Sequence, residues 1–98
     1  MPQADKEVCD LMEKWFGSPI DEGPPLSFLL SRGYKEKNGF ISHEVMSHKP
    51  TEEENICIEF LICEWDFSLE NEYFNYLRNQ KYYVNEHGEL VWNIMITG

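Results

Sequence analysis

Ile56-Cys57-Ile58-Glu59-Phe60-Leu61-Ile62-Cys63-Glu64-Trp65-Asp66-Phe67 is the stretch on which the fold turns. It is rich in β-branched and aromatic residues and reads as one long strand. With a period of two, Ile56, Ile58, Phe60 and Ile62 line one face. Cys57, Leu61, Cys63, Trp65 and Phe67 line the other. A strand apolar on both faces is central and covered on both sides. Glu59 interrupts the second face, which is therefore expected to be only partly covered.

Working outward, residues 47–55 form a polar loop with Pro50 and a run of three glutamates. Before it, Tyr34 to Lys37, Asn38-Gly39 and Phe40 to Val45 spell a β-hairpin. Asn-Gly is the dipeptide of a type I′ turn, in which both central residues need positive φ. Residues 4–16 carry Val8, Leu11, Met12, Trp15 and Phe16 on one helical face, with Gly17 and Pro19 to end the helix. Pro25 opens a short helix from Leu26 to Ser31, stopped by Gly33. After the long stretch, Ser68 offers an N-cap for a helix that runs to about Asn79, with Glu70 and Glu72 near its positive end. Tyr73, Asn75 and Leu77 also alternate, so residues 72–78 admit a strand reading. Lys81 to Val84 and Glu89 to Thr97 form a second hairpin around Asn85-Glu86-His87-Gly88. The expected fold is α+β: one antiparallel sheet of about five strands, with an N-terminal amphipathic helix and a second helix packed on it. Residues 1–98 are read as a single domain.

Charge supplies the main functional lead. The chain has a net charge of −10. Between Pro50 and Leu77 it carries Glu52, Glu53, Glu54, Glu59, Glu64, Asp66, Glu70 and Glu72 and no lysine or arginine. Aromatic residues share the segment, so it is not an unfolded acidic tail. An acidic surface on a foldable core repels nucleic acid and favours a basic protein partner. The expected binding residues are Glu52, Glu53, Glu54, Glu64, Trp65, Asp66, Glu70, Glu72 and Tyr73. If the middle of the segment is core strand, its charge divides into two poles about 25–35 Å apart. The expected function is a non-enzymatic protein-binding domain acting through this acidic, aromatic-containing surface; a basic groove of a partner is one target it could occupy, a version that two separate poles weaken. The alternative is a small-molecule-binding domain or minor enzyme with an aromatic-lined pocket and Glu59 or Glu64 as its polar group. Tyr73, Tyr76, Tyr82, Tyr83 and Trp92 offer a second route, a homodimer face.

Motifs for chemistry are sparse. His43, His48 and His87 have no metal-site spacing, and the three cysteines match no zinc pattern. Cys57 and Cys63 on one strand would lie roughly 20 Å apart, too far for a disulfide. Buried apolar thiols in a reducing cytoplasm are the simplest reading. Glu64 and Asp66 would share a strand face about 6.6 Å apart; two wet carboxylates where the strand leaves the core explain them better than an acid–base pair or an ion site. There is no nucleophile motif, and Cys9 lies close to Glu13, which opposes a thiolate. Glycine-rich phosphate loops are absent and no local pair has metal-ligand spacing, so no cofactor and no metal are expected. Arg32, Lys35 and Lys37 form the one small basic cluster. The N-terminus resembles no signal peptide, and the apolar runs are too short to span a bilayer.

Overall fold

A computed structural model describes residues 6–17, 21–84 and 90–92. Along the chain it has α1 (Lys6–Phe16), α2 (Gly23–Ser31), β1 (Tyr34–Lys37), β2 (Phe40–His43), α3 (Glu52–Trp65), β3 (Ser68–Leu69), α4 (Asn71–Asn79), β4 (Tyr82–Val84) and β5 (Leu90–Trp92). The α+β class holds. None of the described helices is long and apolar enough to cross a membrane.

The expected long strand is instead the central helix, α3. Its start is fixed by Thr51, which adopts extended backbone as N-cap. Thr51 Oγ1 accepts from the Glu54 N–H at 3.3 Å, and Glu54 Oε1 accepts from the Thr51 N–H at 3.3 Å. This reciprocal capping box satisfies two donors that a helix start otherwise leaves open. Glu52, Glu53 and Glu54 complete a first turn whose charge suits the positive end of the helix. At the other end Asp66 turns left-handed (φ 59°), and its N–H returns to the Leu61 carbonyl. Aspartate tolerates that conformation better than most residues. A helix apolar round most of its circumference is buried round most of it, and Glu59 is buried along with the apolar residues. Cys57, Ile58, Phe60, Leu61 and Cys63 are buried, and α1, α2 and β5 pack against the helix. Period two was the wrong period because both faces of this stretch are apolar, and such a run does not declare its own geometry. Replacing Thr51 with alanine should cost about 0.5–2 kcal/mol of unfolding free energy in a denaturant titration.

With α3 removed from the sheet, the expected single antiparallel sheet becomes two. One has the order β1-β2-β3, the other pairs β4 with β5 antiparallel. The β1–β2 hairpin has the expected turn, with Asn38 and Gly39 at φ 54° and 85°. β2 pairs with β3 in parallel, Phe40 beside Ser68 and Ile41 beside Leu69. The Ser68 N–H donates to the Gly39 carbonyl at 2.9 Å and the Glu70 N–H to the Ile41 carbonyl at 2.7 Å. Ser68 is thus spent on the sheet, and Glu70 caps α4 in its place. Residues 72–78 are helical. The turn expected at residues 85–88, with His87, lies outside the described residues, as do residues 93–97 of the second hairpin.

Strand alternation gives the larger sheet two unlike faces. Tyr34, Ile41, His43 and Leu69 are buried toward α3 and α4, whereas Lys35, Lys37 and Phe40 face outward and are exposed. One core cluster takes in Val8 and Met12 of α1, Leu29 of α2, Ile58 and Leu61 of α3, and Tyr73 and Leu77 of α4.

Candidate functional site

Four elements converge on the Glu54 carboxylate, which is only 2% exposed. The Tyr34 hydroxyl of β1 donates to Oε1 at 2.8 Å. His48, in the loop after β2, places Nε2 2.7 Å from the same oxygen. The Arg32 guanidinium stands 3.8 Å from Oε2. Tyr73 of α4 donates to the His48 carbonyl at 2.9 Å, and Tyr76 donates to that of Ser47 at 2.8 Å. The histidine rings of His43 and His48 stack at 3.9 Å with planes 10° apart. Tyr34 meets His43 edge-on at 4.6 Å.

Hydrogen-bond accounting assigns the roles. A carboxylate only accepts, so His48 Nε2 is the donor to Glu54. The Val45 N–H donates to His43 Nδ1 at 2.9 Å, which leaves Nε2 to donate to the Arg32 carbonyl at 2.8 Å. Both ring nitrogens of His43 are thus engaged with main-chain groups. Burial pushes the Glu54 carboxyl up, but the bonds from His48, Tyr34 and Thr51 outweigh it and hold it below its usual value. Burial raises the Tyr34 phenol far above its usual value and pushes Tyr73 up to about 12. Burial likewise pushes the Cys57 thiol up to about 12, so it keeps its proton and packs as an apolar side chain.

Close packing around this cluster requires Gly33. It has φ +91°, and a methyl there would stand 2.9 Å from His43 Nε2. Gly33→Ala should cost about 1–3 kcal/mol, read from the shift in denaturation midpoint. The network ties the start of α3 to β1, β2, α4 and the loop between β2 and α3. Its donors and acceptors are turned on one another. Among the described residues no group of three or more His, Cys, Asp or Glu is arranged to hold a metal ion.

The nine residues expected to bind a partner do not stay together. Glu54 and Tyr73 are buried in the network, because capping α3 and filling the core draw them inward. Glu52 and Glu53 are exposed at the start of α3. At its end, Glu64 is half-buried, Trp65 is 40% exposed and Asp66 is exposed. Glu70, half-buried, and Glu72, exposed, follow through β3 at the start of α4. A helix of this length separates its ends by about 20 Å, less than a strand would. Two acidic poles remain, and the one around Trp65 carries the aromatic residue. Glu64 and Asp66 are not a strand-face pair: one closes α3 and the other turns left-handed. Of the aromatic face considered for a homodimer, Tyr73 is buried, Tyr76 and Tyr82 are half-buried and Tyr83 is exposed. Neither Glu59 nor Glu64 lines the open groove, which instead crosses the outer side of β1 and β2.

The Glu54 network was missed in the sequence, although Thr51-x-x-Glu54 ahead of an apolar run is the signature of a capping box. His43 and Tyr34 carry no comparable signal, since only the hairpin register makes them neighbours. A family model described as Phage Pam3 gp59 related protein matches residues 1–75, which take in α1 to α3, the larger sheet and the start of α4. No curated protein and no solved structure matches the chain.

Proposed function

We propose that the chain, which belongs to that phage-related family, is a non-enzymatic protein-binding domain whose acidic, aromatic-bearing pole takes a basic partner. The observation that carries this reading is Trp65. It is 40% exposed, flanked by Glu64 and Asp66, and followed at the start of α4 by Glu70 and Glu72. A surface tryptophan ringed by charge suits an interface anchor, with the aromatic ring giving affinity and the carboxylates steering a basic surface toward it. The inward-facing histidines and the raised Cys57 thiol support a binding role over a catalytic one. A reducing cytoplasm suits cysteines that form no disulfide among the described residues.

The test is affinity capture from host lysate at low and high salt, with Trp65→Ala/Asp66→Lys and Glu52→Lys/Glu53→Lys beside the parent chain. The first double variant should lose a captured partner by about tenfold or more, and the second should lose far less. Capture by the parent should weaken steeply as salt shortens the screening length. A partner retained by the Trp65→Ala/Asp66→Lys variant, or held equally at both salt levels, would sink the proposal.

A further inference from the structure

We propose that the outer face of the β1-β2-β3 sheet docks an acidic, extended segment of a partner protein, with its carboxylates on Lys35 and Lys37 and an apolar side chain against Leu30 and Phe40. This surface is separate from the pole around Trp65 and calls for a ligand of opposite charge. An open groove of about 780 Å³ runs over it, lined by Lys35, Lys37, Phe40, Ser42 and Leu30 among others. Leu30 is 48% and Phe40 47% exposed, among the most exposed large apolar side chains described.

Charge decides the kind of occupant. In a chain of net charge −10, this face presents Lys35 and Lys37, which make no ion pair among the described residues. The two glutamates of the groove are already engaged with main-chain donors. Glu36 Oε2 accepts from the Gly39 N–H at 2.7 Å, and Glu70 Oε2 accepts from the Glu72 N–H at 3.1 Å. Both glutamates keep their charge, but they are half-buried with an oxygen held by the main chain, whereas Lys35 and Lys37 are exposed and stand foremost toward a ligand. An open groove does not enclose a small molecule on most sides, as a metabolite site does. A peptide needs no enclosure.

The backbone of β1 favours an extended occupant. β1 is the edge of its sheet. Lys37 and Lys35 stand opposite Phe40 and Ser42, and the Glu44 N–H bonds the Gly33 carbonyl at 2.9 Å. In an antiparallel ladder this alternation turns the main-chain groups of Tyr34 and Glu36 toward the open edge. An added strand meets those groups while its side chains reach Lys35 and Lys37. A second copy of this chain is a poor occupant. Pairing two β1 edges with both cores on the same side sets like residue on like or Lys35 opposite Lys37, and lysine on an edge opposes such pairing.

Selection from a displayed random-peptide library tests the proposal, with the parent chain as bait and Lys35→Glu/Lys37→Glu as counter-bait. Peptides that distinguish the two should be rich in Asp and Glu around an aromatic or aliphatic residue. Their affinity should fall about tenfold or more in Lys35→Glu/Lys37→Glu and in Phe40→Ser, and be kept by Lys35→Arg/Lys37→Arg. Circular dichroism of each variant reports that it is folded, and amide shifts on peptide addition should centre on residues 34–42. The proposal is overturned if no acidic peptide separates bait from counter-bait, or if the shifts fall on another face. It is also overturned if sedimentation shows the parent self-associating and the charge-reversed variant monomeric, which assigns the groove to a second copy.

Discussion

Replacing Glu54 with alanine is expected to lower the unfolding free energy by about 3–5 kcal/mol, the usual cost of removing one partner from a buried charged network. The Tyr34 hydroxyl, His48 Nε2 and the Thr51 N–H all lose an acceptor at once. A domain of this size has about 5–15 kcal/mol in total, so the variant should be close to unfolding at ambient temperature. Glu54→Gln keeps an acceptor oxygen and should cost less, about 1–3 kcal/mol. The pH dependence follows from the sign of the shift. The Glu54 carboxyl is held below its ordinary value of 4.5 in the folded chain. Its contribution is therefore present above about pH 4.5 and lost as the pH falls through the folded value. Tyr34 and Tyr73 are raised above 10.0, so theirs is present below pH 10 and lost in strong alkali. Urea midpoints between about pH 7 and about pH 3 should fall further for the parent chain than for Glu54→Gln. Equal falls would show that the carboxylate is not what the acid removes.

Leu61→Ala should cost about 2–5 kcal/mol, whereas Ile62→Ala should cost clearly less. Leu61 is fully buried at the centre of the core cluster, while Ile62 is half-buried at its margin. A strand through residues 56–67 reverses the expectation, because it puts Ile62 on the fully apolar face and Leu61 on the face that Glu59 interrupts. Paired denaturant titrations of the two variants decide between helix and strand without a further structure. A larger loss for Ile62→Ala would contradict the placement of α3.

The elements that were legible had strong local chemistry. α1 combines a regular apolar stripe with a glycine stop, and the β1–β2 hairpin has Asn38-Gly39, which little other than a type I′ turn accommodates. α2 has prolines in its first turn. α4 is legible in kind, but it starts later than a Ser68 cap implies, because Ser68 and Leu69 pair with β2 and Glu70 becomes the N-cap. The acidic poles are legible as charge and Trp65 as an aromatic among acids, but its exposure comes from its place at the end of α3 rather than on a covered strand face. Glu54 and Tyr73 were not separable from them, since a glutamate in an acidic run looks the same whether it faces water or a tyrosine.

By itself, the sequence determined the α+β class, the N-terminal helix, the first hairpin and the concentration of charge after Pro50. Each depends on residues close together in the chain, where spacing and turn stereochemistry act directly. The tertiary structure alone decided that residues 56–67 belong mainly to a helix, that the strands divide into two sheets, and that Tyr34, His43, His48 and Glu54 meet. A stretch apolar on every side satisfies helix and strand alike until its neighbours choose, and here α1, α2 and β5 surround it. The buried network likewise depends on register and packing between residues distant in sequence, and no local spacing encodes that.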